Sequence, residues 1–448
     1  MNYEEAVDYI INIPRFKFSS DNRCKSGTDN LLCVMNKLGN PQLAKKSIHI
    51  AGTNGKGSTA LYTKCILNEM GYSVGLFTSP HLIKINERIS VSCNENKLIK
   101  NYDISDEEFV SCFDIVYKTV CEHENNGGSP LSFFEMMFAI ASVYFAGKNV
   151  DYVIYETGLG GRLDATNIVK PDICAITSIG LDHIQYLGDT IEKVAYEKAG
   201  IIKKDIPIVY NTGDDSADKV IHQVASDKGC KEINVGKTEY IINEKSDKGI
   251  DFSFHNRYYK YVNISLDKYI PSYQVDNFMT SICMCSELLK CKLSHEIVEK
   301  AANTFFWPGR MEWLSDNVIV DGAHNEDAIE RFTECVAEIA KGKTVDLLFA
   351  VAGDKDYEAM ICYLVKHLSV NQVSVTTIDS SRTASQNTIC EIFKTNDNKL
   401  KVNSYDNIRD AFKKSYEDAL KNDKLLFCVG SLYLVGSIKK YAPEVIHD

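Results

Sequence analysis

The stretch SIHIAGTNGKGSTA, residues 47–60, carries more structural information than any other part of the chain. Ser47 to Ala51 is short and apolar enough to be a buried strand, and Gly52 to Ser58 is a glycine-rich turn. Ser58 to Met70 has helical periodicity, with Leu61, Tyr62, Cys65, Ile66 and Met70 on one side, and Gly71 stops it. Ser73 to Thr78 is the next strand. Strand, helix and strand in this order predict a parallel sheet, since a crossover helix returns the chain in the same direction. The turn Gly52-Thr53-Asn54-Gly55-Lys56-Gly57-Ser58 lies where a phosphate loop would lie. Glycines let backbone N–H groups curl around phosphate oxygens, and the helix N-terminus adds favourable partial charge. Lys56 would reach the β- and γ-phosphates, and Ser58 would touch phosphate or Mg²⁺. The loop is shorter than the common phosphate loop, and Gly57 separates its lysine from its serine. A bare turn with a solvated lysine is the ordinary alternative, and the strand–loop–helix context disfavours it.

Outward from this unit the alternation continues. Leu131 to Ala146 is apolar nearly all round and predicts a buried helix. Asp151 to Tyr155 and Ile173 to Ser178 predict further buried strands, and Thr190 to Gly200 a helix that Gly200 ends. From Ile206 to Pro271 short Tyr- and Ile-rich alternation suggests a small antiparallel addition. A boundary falls near Phe305 to Arg310, after which α/β alternation restarts. Strands are expected at Val318 to Val320, Val345 to Val351, Val373 to Ile378 and Leu425 to Val429. Asn325 to Ala340 is an amphipathic helix carrying Ile329, Phe332, Val336 and Ile339. The expected architecture is α/β throughout: residues 1–300 with a mostly parallel sheet, and residues 301–448 as a second, doubly wound domain.

Composition narrows the function. The 448 residues are 44% hydrophobic and 25% charged, as in ordinary globular proteins. A formal net charge of −11 disfavours nucleic-acid or acidic-membrane partners, which want a basic face. The 15 cysteines are odd in number and lack metal-site or disulfide spacing, so they read as reduced thiols. The first residues lack a basic, apolar leader pattern, and no window is long and apolar enough to span a membrane. The expectation is a cytoplasmic protein.

In open parallel sheets ligands gather beyond the carboxyl ends of strands. Ser79, Glu156 and His183 occupy three such ends, with Asp182 beside the last. Singly each could be a loop residue; together, beside a phosphate loop, they resemble a Mg²⁺ shell, although histidine is an unusual ligand for that ion. Glu156-Thr157-Gly158-Leu159-Gly160-Gly161 is a glycine-rich turn after a strand, which alone is weak evidence for a dinucleotide site and would equally let a ligand or the phosphate loop come close. Lys198 ends an apolar helical stripe of Ile191, Val194 and Ala195, for which a snorkelling side chain is the plain explanation. Ser132 and Glu135 have capping-box spacing, so Glu135 has a structural explanation beside a substrate one. In the second domain Asp321-Gly322-Ala323-His324-Asn325 follows a strand. N-capping explains Asn325, but not Asp321 or His324.

These residues also carry a resemblance. HIAGTNGKGSTA, GLFTSPHLIKINERISV, YETGLGGRLDATN, SIGLDHIQYLGDTIEKVAYEKAGIIK, WPGRMEW and DGAHN, in that order, resemble the folylpolyglutamate synthase and dihydrofolate synthase family of Mur ligases. The similarity runs from NYEEAVDYI near the start to VGSLYLVG near the end and is weakest over Asp205 to Pro271. The resemblance implies a phosphate-loop domain and a C-terminal Rossmann-like domain with ATP in the cleft. It implies that Lys56 and Ser58 hold phosphates, and that Ser79, Glu156 and His183 serve Mg²⁺. It further implies that Lys198 is carbamylated into a metal bridge, reversing the plain explanation. Asn277, Arg310, Asp321 and His324 would contact nucleotide or glutamate. Glu135 would lie in the pterin region, with the Ser79–Arg88 loop as another candidate wall, and Ser431 on the glutamate side. Ser272-Tyr273 before Gln274 departs from the commoner Gly-x-His-Gln. The implied cofactors are ATP and two Mg²⁺ ions, with a monovalent cation as a further option. The implied reaction is addition of L-glutamate to a folate or dihydropteroate carboxylate by a monomeric enzyme. Two rivals are a cell-wall Mur ligase and a non-catalytic nucleotide-binding protein. The first carries a nucleotide-sugar domain before the loop, for which the 51 residues preceding Gly52 leave no room. The second has no need of Glu156, His183, Lys198 and the DGAHN segment together.

Overall fold

The structure is a computed structural model that describes residues 1–14, 27–95, 98–236, 239–245, 249–255, 263–266, 271–378 and 383–446. The chain forms two compact units, one of Met1–His81 with Ile85–Phe305, the other of Leu82–Lys84 with Phe306–Asp448.

The first unit is built on an eight-stranded sheet. Its strands are β1 (Lys46–Ala51), β2 (Val74–Phe77), β3 (Ile89–Glu95), β4 (Leu98–Asp103), β5 (Tyr152–Glu156), β6 (Ile173–Ile176), β7 (Ile208–Tyr210) and β8 (Glu232–Asn234). They lie in the order β4-β3-β2-β5-β1-β6-β7-β8. From β2 to β8 neighbours are parallel, while β3 and β4 add an antiparallel edge. The helix Lys56–Glu69 begins inside the phosphate loop, two residues earlier than expected. It is buried on nearly every side rather than along one stripe. The helix Ser272–Leu289 packs along it and also meets β6 and β7, and Tyr62 stacks on Phe305 at a centroid distance of 3.7 Å and meets Phe278 at 4.8 Å.

The helix Phe133–Ala146 is buried as its apolar run predicts, and the Ser132–Glu135 capping box forms. The helix Ile191–Ala199 is capped by Thr190, whose hydroxyl accepts from Lys193 N at 3.3 Å. Gly200 ends it with a right-handed φ of −58°, so backbone freedom is not the reason for a glycine there. A Cβ at Gly200 would lie 2.4 Å from Arg162 Cα; close packing is the reason.

The expectation for residues 206–271 needs correcting. Its first part continues the parallel sheet through β7, the helix Asp215–Asp227 and β8. Each of these strands has three residues, too few to show a period, and no motif follows them as one follows Val318 to Val320, which hid them in the sequence. The antiparallel addition begins later, as β9 (Glu239–Lys245), β10 (Ile250–His255) and β11 (Ile264–Leu266). Residues 237–238, 246–248, 256–262 and 267–270 of this stretch lie outside the described residues.

The second unit has a six-stranded sheet: β12 (Glu312–Ser315), β13 (Val318–Val320), β14 (Val345–Phe349), β15 (Val370–Thr376), β16 (Lys401–Tyr405) and β17 (Leu426–Val429). The order is β12-β13-β17-β14-β15-β16, parallel except for the β12–β13 pair. This is the Rossmann-like α/β sheet expected of the C-terminal part. Asn325 caps the helix Glu326–Ala340, accepting from Ala328 N at 2.9 Å. Gly436 lets the Leu82 carbonyl lie against the last helix, since a Cβ there would come within 2.1 Å of that oxygen. Among the described residues no helix is long and apolar enough to cross a membrane, and the cysteines are free thiols.

Candidate active site

The phosphate-loop candidate is held in shape by the end of β6, the strand beside β1. Thr53 N donates to Ser178 O at 2.7 Å, and the Thr177 and Ser178 hydroxyls donate to Asn54 O at 2.6 and 3.2 Å. Gly52 has φ +153°, and a Cβ on it would sit 1.8 Å from Thr177 Oγ1. Gly55 has φ +84° and caps the following helix, with the space for its missing Cβ taken by Asn277 Oδ1 at 2.3 Å. Both positions therefore require glycine for conformation and for space. Gly57 lies in the first turn of the helix. Gln274 Nε2 donates to Ser58 Oγ at 3.2 Å, and Asn277 Nδ2 donates to Gln274 Oε1 at 3.1 Å. The structure brings Asn277 to the loop, together with Gln274, Thr177 and Ser178, which sequence reasoning did not select.

Two lysines share one carbonyl. Lys56 Nζ donates to Gly52 O and Thr53 O, each at 3.0 Å, and Lys198 Nζ donates to Gly52 O at 2.6 Å. Lys198 is buried, which corrects the snorkelling explanation: the amine points into the site rather than to solvent. Burial holds its pKa well below the ordinary lysine value and the neighbouring Lys56 charge lowers it further, against Asp182 and Asp164, which raise it.

Glu156 closes β5 and is itself a strand residue rather than the residue after it. Its buried carboxylate accepts from Ser79 N at 2.9 Å, so these two predicted residues meet at the ends of adjacent strands. His183 has a left-handed backbone, φ +50°, at the start of the short helix Ile184–Leu187, and its Nε2 is 3.9 Å from Asp182 Oδ2. Left-handed geometry at a non-glycine residue is sparsely populated and concentrates at functional sites. Among the described residues no trio of His, Cys, Asp or Glu side chains is gathered that could hold a metal ion. The oxygens of Ser58, Ser79 and Glu156 are nevertheless the hard donors that Mg²⁺ takes, and that ion keeps several waters, so the donor set fits it.

Glu135 Oε2 accepts from Ser132 N and Ser132 Oγ, both at 2.7 Å. Its capping role is therefore real. Arg88 is buried, donates through Nε to His81 Nδ1 at 2.8 Å and lies 5.2 Å from the Phe133 ring centroid. Asp164 was missed. Its Oδ2 accepts from Gly158 N at 3.0 Å and Leu159 N at 2.9 Å, which fixes the glycine-rich turn after Glu156. An Asp two residues before a Thr, three residues after a glycine pair, is the turn signal that could have found it.

In the second unit the ends of β13 and β17 bring three sequence motifs together. Buried Asp321 accepts from Met311 N at 2.8 Å and Ala323 N at 2.7 Å. Burial raises its pKa, while the Arg310 guanidinium and these two N–H groups oppose the rise. A Cβ on Gly322 would lie 2.2 Å from Leu432 Cδ2, so that glycine makes room for the leucine side chain. His324 Nδ1 donates to Gly322 O at 2.7 Å, which fixes the ring's orientation. Ser431 Oγ accepts from Tyr433 N at 3.1 Å, giving this residue too a structural role.

Residues 50–285 match the Mur ligase middle domain, and residues 309–432 match the Mur ligase glutamate ligase domain. The dihydrofolate synthase/folylpolyglutamate synthase of Bacillus subtilis is 34% identical over 448 residues, 98% of both chains. The chain belongs to the Mur ligase family. Within it, the folylpolyglutamate and dihydrofolate synthases are the branch this Mur ligase matches over its full length. The folylpolyglutamate synthase of Thermotoga maritima superposes with a TM-score of 0.80 at 28% identity, covering 98% of this chain and 96% of that one. A folylpolyglutamate synthase in complex with AMPPCP and folate gives a TM-score of 0.80 at 26% identity, covering 98% and 99%.

Proposed function

We propose that this Mur ligase is an ATP-dependent enzyme that adds L-glutamate to a folate carboxylate through an acyl phosphate. The observation that carries the reading is the phosphate loop, locked by Thr177 and Ser178, with Lys56 and Lys198 converging on Gly52 O. Full-length similarity to a dihydrofolate synthase/folylpolyglutamate synthase supports the choice of substrate.

In this reaction a carboxylate oxygen of the pterin substrate attacks the γ-phosphorus of ATP, and the bond from that phosphorus to the bridging oxygen of ADP breaks. The glutamate amine then attacks the acyl carbon, the bond to phosphate breaks, and the amine gives up a proton. The loop N–H groups and Lys56 bind the phosphates and offset the charge on the phosphoryl oxygens. Ser58, Ser79, Glu156, His183 and, once carbamylated, Lys198 would hold Mg²⁺, which neutralises phosphate charge when bound. Asn277 is assigned to the nucleotide, as are Arg310 and Asp321. His324 and Ser431 are assigned to glutamate, Glu135 and Arg88 to the pterin.

Both dihydropteroate and a reduced folate are proposed as substrates. One added glutamate moves the reacting carboxylate by several ångströms, on the order of one extended residue or more. Taking both therefore needs two pterin poses. ATP, Mg²⁺ and labelled glutamate supplied with each pterin separately tests this. Incorporation into both is expected. Incorporation into one alone reduces the enzyme to a single activity, and incorporation into neither removes the folate reading.

A further inference from the structure

His49 is on β1, three residues before the phosphate loop, and is wholly buried. Its Nε2 lies 2.7 Å from Thr166 Oγ1. Thr166 Oγ1 in turn donates to Asp164 Oδ1 at 2.6 Å, and Thr166 N donates to the same oxygen at 3.0 Å. The other oxygen of Asp164 takes the N–H groups of Gly158 and Leu159.

Proton counting sets the direction of this chain. Thr166 has one hydroxyl proton, and it goes to Asp164. His49 Nε2 must therefore donate to Thr166, which leaves Nδ1 as the bare nitrogen of a neutral ring. Nδ1 is buried and has no hydrogen-bond partner among the described residues. Burial agrees, pushing the His49 pKa down to about 3. The chain from His49 to Asp164 thus runs one way and ends on two backbone amides.

Those amides belong to a tightly confined turn. A Cβ on Gly158 would lie 2.7 Å from the Phe134 ring, and one on Gly161 would lie 2.8 Å from Lys198 O. Arg162 N donates to Glu197 O at 2.7 Å. The turn therefore touches the segment that carries Lys198 and directly follows Glu156. A shift in it would be felt at both, because neither glycine leaves room for even a methyl group.

We infer that His49 and Thr166 are positioning residues: through Asp164 they set the Gly158–Gly161 turn and so the placement of Glu156 and Lys198. The consequence for turnover rests on the ligase reading above; the consequence for the turn does not. Thr166→Val keeps the side-chain shape and removes the hydroxyl, while Thr166→Ser keeps the hydroxyl. In Thr166→Val, hydrogen exchange over residues 156–161 is expected to quicken at least about tenfold at Gly158 and Leu159. Glutamate-dependent ADP release is expected to lose at least about tenfold in kcat with the KM for ATP changed less than about threefold. Thr166→Ser should restore both. Wild-type exchange at Gly158 and Leu159 in Thr166→Val overturns the inference, as does equal impairment of the two variants. The exchange measurement stands even if the wild-type protein releases no ADP, an outcome that would overturn the proposed reaction instead.

Discussion

Lys64 lies two turns into the helix that begins in the phosphate loop, and it is 3% exposed. Its Nζ donates to Ser90 Oγ at 3.2 Å. Burial pulls its pKa from 10.5 down to about 8, with Cys65 and Asp103 partly opposing. The unfolded chain therefore holds this proton more tightly than the folded one. The sign follows: stability rises as pH climbs from about 8 towards 10.5, and at pH 7 the full cost of the buried ammonium is present. The interval between 10.5 and about 8, at about 1.4 kcal/mol for each pKa unit, comes to about 3 kcal/mol. Lys64→Met keeps an unbranched side chain one atom shorter and removes the charge. The Ser90 hydroxyl loses its donor, a loss of about 1 kcal/mol. The net gain should be about 2 kcal/mol at pH 7, in line with apolar replacement of buried charges elsewhere. Hydrogen exchange in the helix Lys56–Glu69 across a urea series at pH 7 and pH 9.5 measures it. By pH 9.5 the cost of the wild-type lysine should have fallen to roughly half. Loss of stability in Lys64→Met at pH 7, or a gain of the same size at both pH values, refutes the reasoning.

Lys56→Ala should abolish ADP release with little change in melting temperature, because its amine binds loop carbonyls rather than core. Retention of more than about a tenth of the wild-type rate, roughly 1.4 kcal/mol in the barrier, counts against the phosphate-loop assignment. Gly52→Ala should lose nucleotide binding by calorimetry, since its Cβ would fall 1.8 Å from Thr177 Oγ1; unchanged affinity would show that the loop tolerates displacement. Asp321→Ala and His324→Ala should each impair turnover although both lie far in sequence from the loop. Normal kinetics in both would exclude the DGAHN segment from the reaction. Lys198 should be carbamylated in the active enzyme, because a second ammonium beside Lys56 is repelled whereas a carbamate is an anionic ligand. Native mass spectrometry should show one added CO₂, Lys198→Ala should be inactive, and a short carboxylate should partly restore it; an unmodified lysine in active protein contradicts this.

Local pattern was enough for local structure. The strand, glycine turn and helix of residues 46–69 follow from periodicity and glycine placement, because backbone conformation there depends on the residues themselves. The Ser132–Glu135 box and the Asn325 cap were legible for the same reason. The resemblance then assigned roles, and family membership agrees with it. Partnerships across the chain were a different matter. Gln274 meets Ser58 and Thr177 meets Asn54 only because the helix Ser272–Leu289 lies on the loop helix and β6 neighbours β1. Lys198 looked solvated because an apolar stripe ending in lysine is common on surfaces. Its burial comes from docking of its helix under Gly52 and the glycine turn. Lys64 and His49 gave no signal, since a lysine in a helix and a histidine in a strand are ordinary until both faces are covered. The strands β7 and β8 were missed because three residues hold no period and no motif follows them, as one follows Val318 to Val320; neighbouring strands make them strands. Sequence determined which backbone shapes were available, and tertiary packing decided which polar groups lost their water and had to find each other.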